Sequence, residues 1–248
     1  MICPKCGFPQ AEDRKECKNC GVIFSKLTAA DYQGQDAAKV ESKNPASAKN
    51  ISASVKKILS EEEVATGTVI FAARALFFLI LFFWGWGFIF SALKGEYSGD
   101  SVLHYVNLVF HEAGHIIFWG KFMAVLGGSL MQIIIPGCCV ASFLYYRNPF
   151  AAAAALWWLA ENFMDMAPYI NDARALQLPL LGGITGSDDP DSHDWHFLLR
   201  ETGWLEYDQI LARLSSHIGI LLMITSFAWM IWTLRQQFKS IRSYKSAL

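Results

Sequence analysis

Net charge is almost missing from this 248-residue chain: 21 Lys and Arg face 22 Asp and Glu, a balance of -1. A duplex-binding protein shows a clear excess of basic residues, so nucleic acid is not expected as a partner. Charge of either sign is also scarce, at 17% of residues against 53% hydrophobic. A water-soluble fold of this length would have difficulty hiding that much apolar surface, and the balance points to a membrane protein. The opening residues lack the basic and then apolar segment of a secretory signal, which places the N-terminal part on the cytoplasmic side as an expectation.

Three stretches free of Asp, Glu, Lys and Arg are long enough to cross a bilayer, which takes roughly 20 apolar residues. They are Ala75 to Leu93, Phe122 to Tyr146 and Leu214 to Leu234. Two further stretches are apolar but interrupted. Val102 to Trp119 carries His104, Asn107, His111, Glu112 and His115, and Pro149 to about Ile170 carries Glu161 and Asp165. Aromatic residues sit at candidate interfaces, as in Phe82 to Trp86, Tyr145 with Tyr146, and Trp229 with Trp232.

The fold class expected is an all-α polytopic membrane protein with a small N-terminal zinc ribbon. Residues 1–26 form the ribbon, 27–65 a flexible linker rich in Ala, Ser, Lys, Asp and Gln, and 66–248 a helical transmembrane domain with a polar loop at about 171–208. Arg235, Lys239, Arg242 and Lys245 follow the last apolar run, which favours a cytoplasmic C-terminus beside the ribbon and so an even number of crossings. Five candidates are present. Either one is re-entrant, with the segment holding Gly127-Gly128 and Pro136-Gly137 the first suspect, or the short piece Leu176 to Ile184 also enters the membrane. The expected home is a bacterial inner (plasma) membrane.

Cys3, Cys6, Cys17 and Cys20 make C-x2-C-x10-C-x2-C, with Gly7 and Gly21 each following a second cysteine. Each pair sits on a tight turn that aims two thiolates at one point, and four thiolates close a tetrahedral zinc site with no place left for water. Such a zinc is structural, and the ribbon it organises is expected to bind a protein partner. Two disulfides are the alternative, suited to an oxidising compartment. Cys138 and Cys139 lie in an apolar run and read as small packing residues.

Residues 111 to 115 read HEAGH. On a helix His111 and His115 are one turn apart on one face, so both imidazoles reach one metal, with Glu112 beside it as a base. Inside an apolar span an acidic side chain costs roughly 2.5 to 3.5 kcal/mol, and residues of that cost mark function by default. A polar cluster that merely ties helices together is the alternative. Zinc held by three protein ligands brings a bound water to a pKa near 7, so a third ligand is needed. Asp165, Asp172 and His193 are the candidates. Glu161, Asp165 and Asp172 fall on one helical stripe, and His193 lies in the run Ser192-His193-Asp194-Trp195-His196.

HEAGH in an apolar helix, the following Leu126 to Gln132 (LGGSLMQ), and a later helix with Asn162, Asp165 and Pro168 resemble the intramembrane site-two-type zinc metalloproteases, over roughly Val102 to Asp172. In that family an Asp-Gly follows an Asn and a Pro; here Asp172 is followed by Ala173. The resemblance implies His111 and His115 as ligands, Glu112 as base, an acidic ligand at Asp165 or Asp172, and hydrolysis of peptide bonds in membrane-protein substrates. The alternative is a non-catalytic regulatory or metal-binding protein, a sensor or transporter, using the same residues. Two zinc ions are expected in all, one structural and one catalytic.

Overall fold

The computed structural model describes Cys3 and residues 15–19, 21–26, 67–94 and 101–246. Cys6, Cys20 and the whole expected linker, 27–65, lie outside the described residues. Contacts divide the chain into two compact units, 1–54 and 55–248.

In the first unit Cys3 and Cys17 are both buried. A small knuckle surrounds Cys17: its N–H donates to the Val22 carbonyl at 2.9 Å, and its carbonyl accepts from Gly21 at 2.9 Å. Glu16 and Ile23 pair across it as an isolated antiparallel bridge. Gly21 takes a φ of 67°, a left-handed conformation that glycine adopts without penalty.

The second unit is mostly helical and has no strand among the described residues. Its helices are α1 (Thr68–Lys94), α2 (Val102–Ile117), α3 (Lys121–Tyr145), α4 (Pro149–Asn171), α5 (Asp194–Glu201) and α6 (Asp208–Ser246). Three of them, α1, α3 and α6, are long and apolar enough to cross a membrane. The five apolar stretches of the sequence thus divide by their polar content. The interrupted ones form α2, which has only 16 residues, and α4, whose polar side chains face inward. The segment with Gly127-Gly128 and Pro136 is one continuous helix.

Local signals set the helix ends. Ser101 caps α2 by accepting from the Leu103 N–H at 3.2 Å. Asn148 caps α4 by accepting from Ala151 at 3.1 Å, with Pro149 in the first turn, where its missing N–H costs nothing. Between α2 and α3 the chain turns at Gly120, with a φ of 85°.

Helix α4 is the axis of the unit and packs against α6, α3 and α1. Its alanines and Trp157 meet Leu81 and Phe88 of α1 and Met223, Phe227 and Met230 of α6 in one apolar core. Polar ties cross this core at depth. Trp157 Nε1 donates to the Leu81 carbonyl at 3.0 Å and Ser226 Oγ to the Ala153 carbonyl at 2.7 Å, each answering a group that would otherwise be stranded in an apolar setting. Helix α2 packs on the α3 side. There a Cβ added at Gly114 would overlap the Gly127 carbonyl, so the two backbones touch through paired glycines.

The expected loop after α4 runs irregularly to α5. Leu176 to Ile184 is not helical: Pro179 and Thr185 form a bridge, Leu180 N–H donates to the Ile184 carbonyl at 2.8 Å, and Gly182 and Gly183 turn the tip with φ of 91° and 81°.

Candidate metal centre

Helical spacing puts His111 and His115 of α2 on the face turned to α3, with ring centroids 4.7 Å apart. Room for the rings comes from Gly128, where an added Cβ would lie 2.7 Å from His111 Nε2 and 2.8 Å from His115 Cε1. Each ring is anchored by its Nδ1. His111 Nδ1–H donates to Gln132 Oε1 at 2.9 Å, and His115 Nδ1–H donates to the Ala124 carbonyl at 2.9 Å. With the proton on Nδ1, each Nε2 carries a lone pair. Both Nε2 atoms face one oxygen of Asp194, at 2.8 Å and 3.2 Å.

Asp194 opens α5, which His193 caps by accepting the His196 N–H on its Nδ1 at 3.1 Å. The helix is held in place by His196 Nδ1–H, which donates to the Ala173 carbonyl at 2.7 Å, and by the burial of Phe197, Leu198 and Leu199. Burial works against ionisation of Asp194; when the two rings also carry protons on Nε2, their hydrogen bonds to the carboxylate outweigh burial and hold its pKa below the ordinary value.

The three donor atoms of His111, His115 and Asp194 lie within 4.8 Å of one another. Three lone-pair atoms that converge in this way repel unless a proton or a metal ion sits among them. Two imidazoles and one carboxylate, with Nδ1–H groups turned outward to oxygens that fix the rings, are a donor set suited to zinc, and three such ligands would leave one coordination position open. The group borders a cavity of about 520 Å³, which Glu112 also lines together with His104, Tyr105, Tyr169 and Leu180.

The residues expected to supply a third ligand occupy other places. Asp165 lines the cavity but is engaged by His104 Nδ1–H at 2.9 Å, Asn107 Nδ2 at 3.1 Å and Gln132 Nε2 at 3.5 Å. Glu161, fully buried one turn before it, accepts from the same Asn107 Nδ2 at 2.8 Å. Asp172 caps the loop after α4, accepting the Gln177 and Leu178 N–H groups at 3.0 Å and 2.9 Å. His193 is 1% exposed beside Asp172, with burial pushing its imidazole below the ordinary pKa. The position beside the two histidines is taken by Asp194, the neighbour of His193.

Sequence reasoning missed Asp194 and Gln132. Asp194 stands in the quoted run at the start of a short amphipathic helix, and the signal for it was an acidic residue flanked by His193 and Trp195. Gln132 ends the LGGSLMQ segment, a full turn beyond Gly128, as a polar residue in an otherwise apolar helix. Comparison with protein-family models, with curated proteins and with solved structures finds no match to this chain.

Proposed function

We propose that the chain is a zinc-dependent intramembrane peptidase, anchored in the bilayer by α1, α3 and α6, that hydrolyses peptide bonds of membrane-protein substrates. One observation carries the reading: His111 Nε2, His115 Nε2 and an Asp194 oxygen converge with both Nδ1–H groups turned outward. His111, His115 and Asp194 would hold the ion. When bound, it would polarise the scissile carbonyl and make a water nucleophilic near neutral pH.

The chain's own residues do the rest. Glu112, at the cavity wall, takes a proton from the attacking water and returns it to the departing amine. Tyr105, Leu108, Leu180 and Ile184 give the cavity apolar walls against which an unwound hydrophobic segment can lie. His104, Asp165 and Tyr169 line the same cavity and keep part of it hospitable to water at membrane depth. The zinc ribbon of Cys3, Cys6, Cys17 and Cys20 would carry the second, structural zinc and recruit a protein partner on the cytoplasmic side of a bacterial inner membrane.

Glu112→Gln tests the catalytic part. Cleavage of a transmembrane peptide in proteoliposomes should fall by at least about 100-fold while metal content stays at the parent level. Unchanged cleavage would remove Glu112 and the mechanism with it. A second reading, a sensor or transporter without hydrolysis, is favoured by the buried carboxylates Glu161 and Asp165 beside the site. Metal flux into sealed proteoliposomes without peptide cleavage would establish it instead.

A further inference from the structure

We propose that Gln132 is a positioning residue of the metal centre, and that Asp165 decides which way round its amide sits. The inference rests on the reading of His111, His115 and Asp194 as metal ligands. A carboxamide has two ends of nearly equal size and opposite hydrogen-bonding sense: the oxygen only accepts, the NH2 only donates. Gln132 is buried at 6% exposure between two groups that discriminate between those ends. His111 Nδ1 lies 2.9 Å from Oε1, and Asp165 Oδ2 lies 3.5 Å from Nε2. Turning the amide over would set NH2 against the Nδ1–H and oxygen against a carboxylate, two repulsive contacts in place of two attractive ones.

Asp165 is itself immobilised. Asn107 donates to its Oδ2 at 3.1 Å and His104 Nδ1–H to its Oδ1 at 2.9 Å, and the carboxylate is 4% exposed. Orientation therefore passes from the carboxylate to the amide, and from the amide to the ring. With Oε1 facing it, His111 keeps its proton on Nδ1 and presents the Nε2 lone pair toward Asp194. His115 needs no such device, because a backbone carbonyl, that of Ala124, holds its Nδ1. The two ligands thus differ: one is set by main chain, the other by a side chain that substitution can change. An acidic residue buried beside the centre without ligating it is accounted for by the same relay.

The test uses the full chain in detergent micelles, stripped of zinc and titrated with cobalt(II). The visible absorption component that His111→Ala abolishes reports this centre, and the thiolate charge-transfer band reports the ribbon separately. Gln132→Leu should weaken cobalt binding at the centre by roughly 10- to 100-fold and leave the ribbon band unchanged. Asp165→Asn alone should weaken it less, since the amide is then free to reverse. Gln132→Glu combined with Asp165→Asn should recover most of the loss. In that pair the carboxylate at 132 accepts from both His111 and the amide NH2 at 165, and the amide oxygen at 165 still accepts from His104; only the bond from Asn107 is given up, and Asn107 keeps Glu161 as its acceptor. Cobalt binding by Gln132→Leu at parent affinity would overturn the proposal, and so would a double variant no better than Asp165→Asn. A parent protein with no component sensitive to His111→Ala would remove the metal reading itself, a different result from either. Should Gln132→Leu fail to fold, the comparison of Asp165→Asn with the double variant carries the test.

Discussion

His111 and His115 illustrate how little of a candidate metal site is contained in two side chains alone. Their facing geometry follows from helical spacing, and that part was legible in HEAGH because one turn of helix is a local property. What lets both rings occupy the α2–α3 seam is Gly128 on the opposite helix. Gly128→Ala should therefore displace the rings, because its Cβ would lie within 2.8 Å of atoms in both. The expected outcome is metal affinity at this centre reduced by on the order of tenfold or more, with the helical fold retained, measured by chelator competition on the purified protein. Asp194 was not legible in the same way. Asp165 and Asp172 share a helical stripe with Glu161, so periodicity favoured them, yet periodicity reports only which face a residue takes on its own helix. Which acidic residue meets the histidines depends on the path of the loop from Asp172 to His193, and that path is set by tertiary contacts such as His196 with the Ala173 carbonyl.

At the scale of elements, the long apolar helices were readable from composition, while the polar ones required their neighbours. Glu161 and Asp165 interrupt α4 and lower its hydropathy, but inside the bundle each finds Asn107. The irregular segment between α4 and α5 is braced at its surface by carboxylates. Thr185 donates its N–H and hydroxyl to Asp188, the N–H having the larger effect, and holds that carboxyl below its ordinary pKa. Arg200, with help from Lys121, does the same for Asp191. A carboxyl depressed on folding contributes stability that is complete above its unfolded pKa and is lost as pH falls through the folded value. Protection against hydrogen exchange over residues 185–200, taken relative to the intrinsic rate at each pH, should accordingly stay constant at pH well above 3.8 and fall as the pH drops below it. Asp191→Asn should remove its share of that dependence, and added salt should shrink the whole effect, because these pairs are exposed.

At the scale of the whole second unit, the three helices long and apolar enough to cross a membrane also carry large apolar side chains on the outside. Leu76, Ile80 and Phe83 of α1, Ile134 and Phe143 of α3, and Leu221 and Ile224 of α6 are exposed on the three long apolar helices. Cys138 is exposed among them on α3 and gives a direct probe. In proteoliposomes both a lipid-soluble and a charged, membrane-impermeant maleimide should leave Cys138 unmodified, because the reactive thiolate does not form in hydrocarbon, and both should modify it once the protein is denatured, as read by peptide mapping. Equal modification by both reagents before denaturation would place that face in water. The centre joins residues far apart in the chain, since 83 positions separate His111 from Asp194. A divalent ion gripped by both would act as a removable cross-link that closes a long ring, and its grip would discourage α5 and the segment before it from peeling off the bundle. Chelation should then open that segment to proteases between Leu176 and Ser192 well before the bundle itself comes apart, so the protein would wear its metal as a clasp as much as a tool.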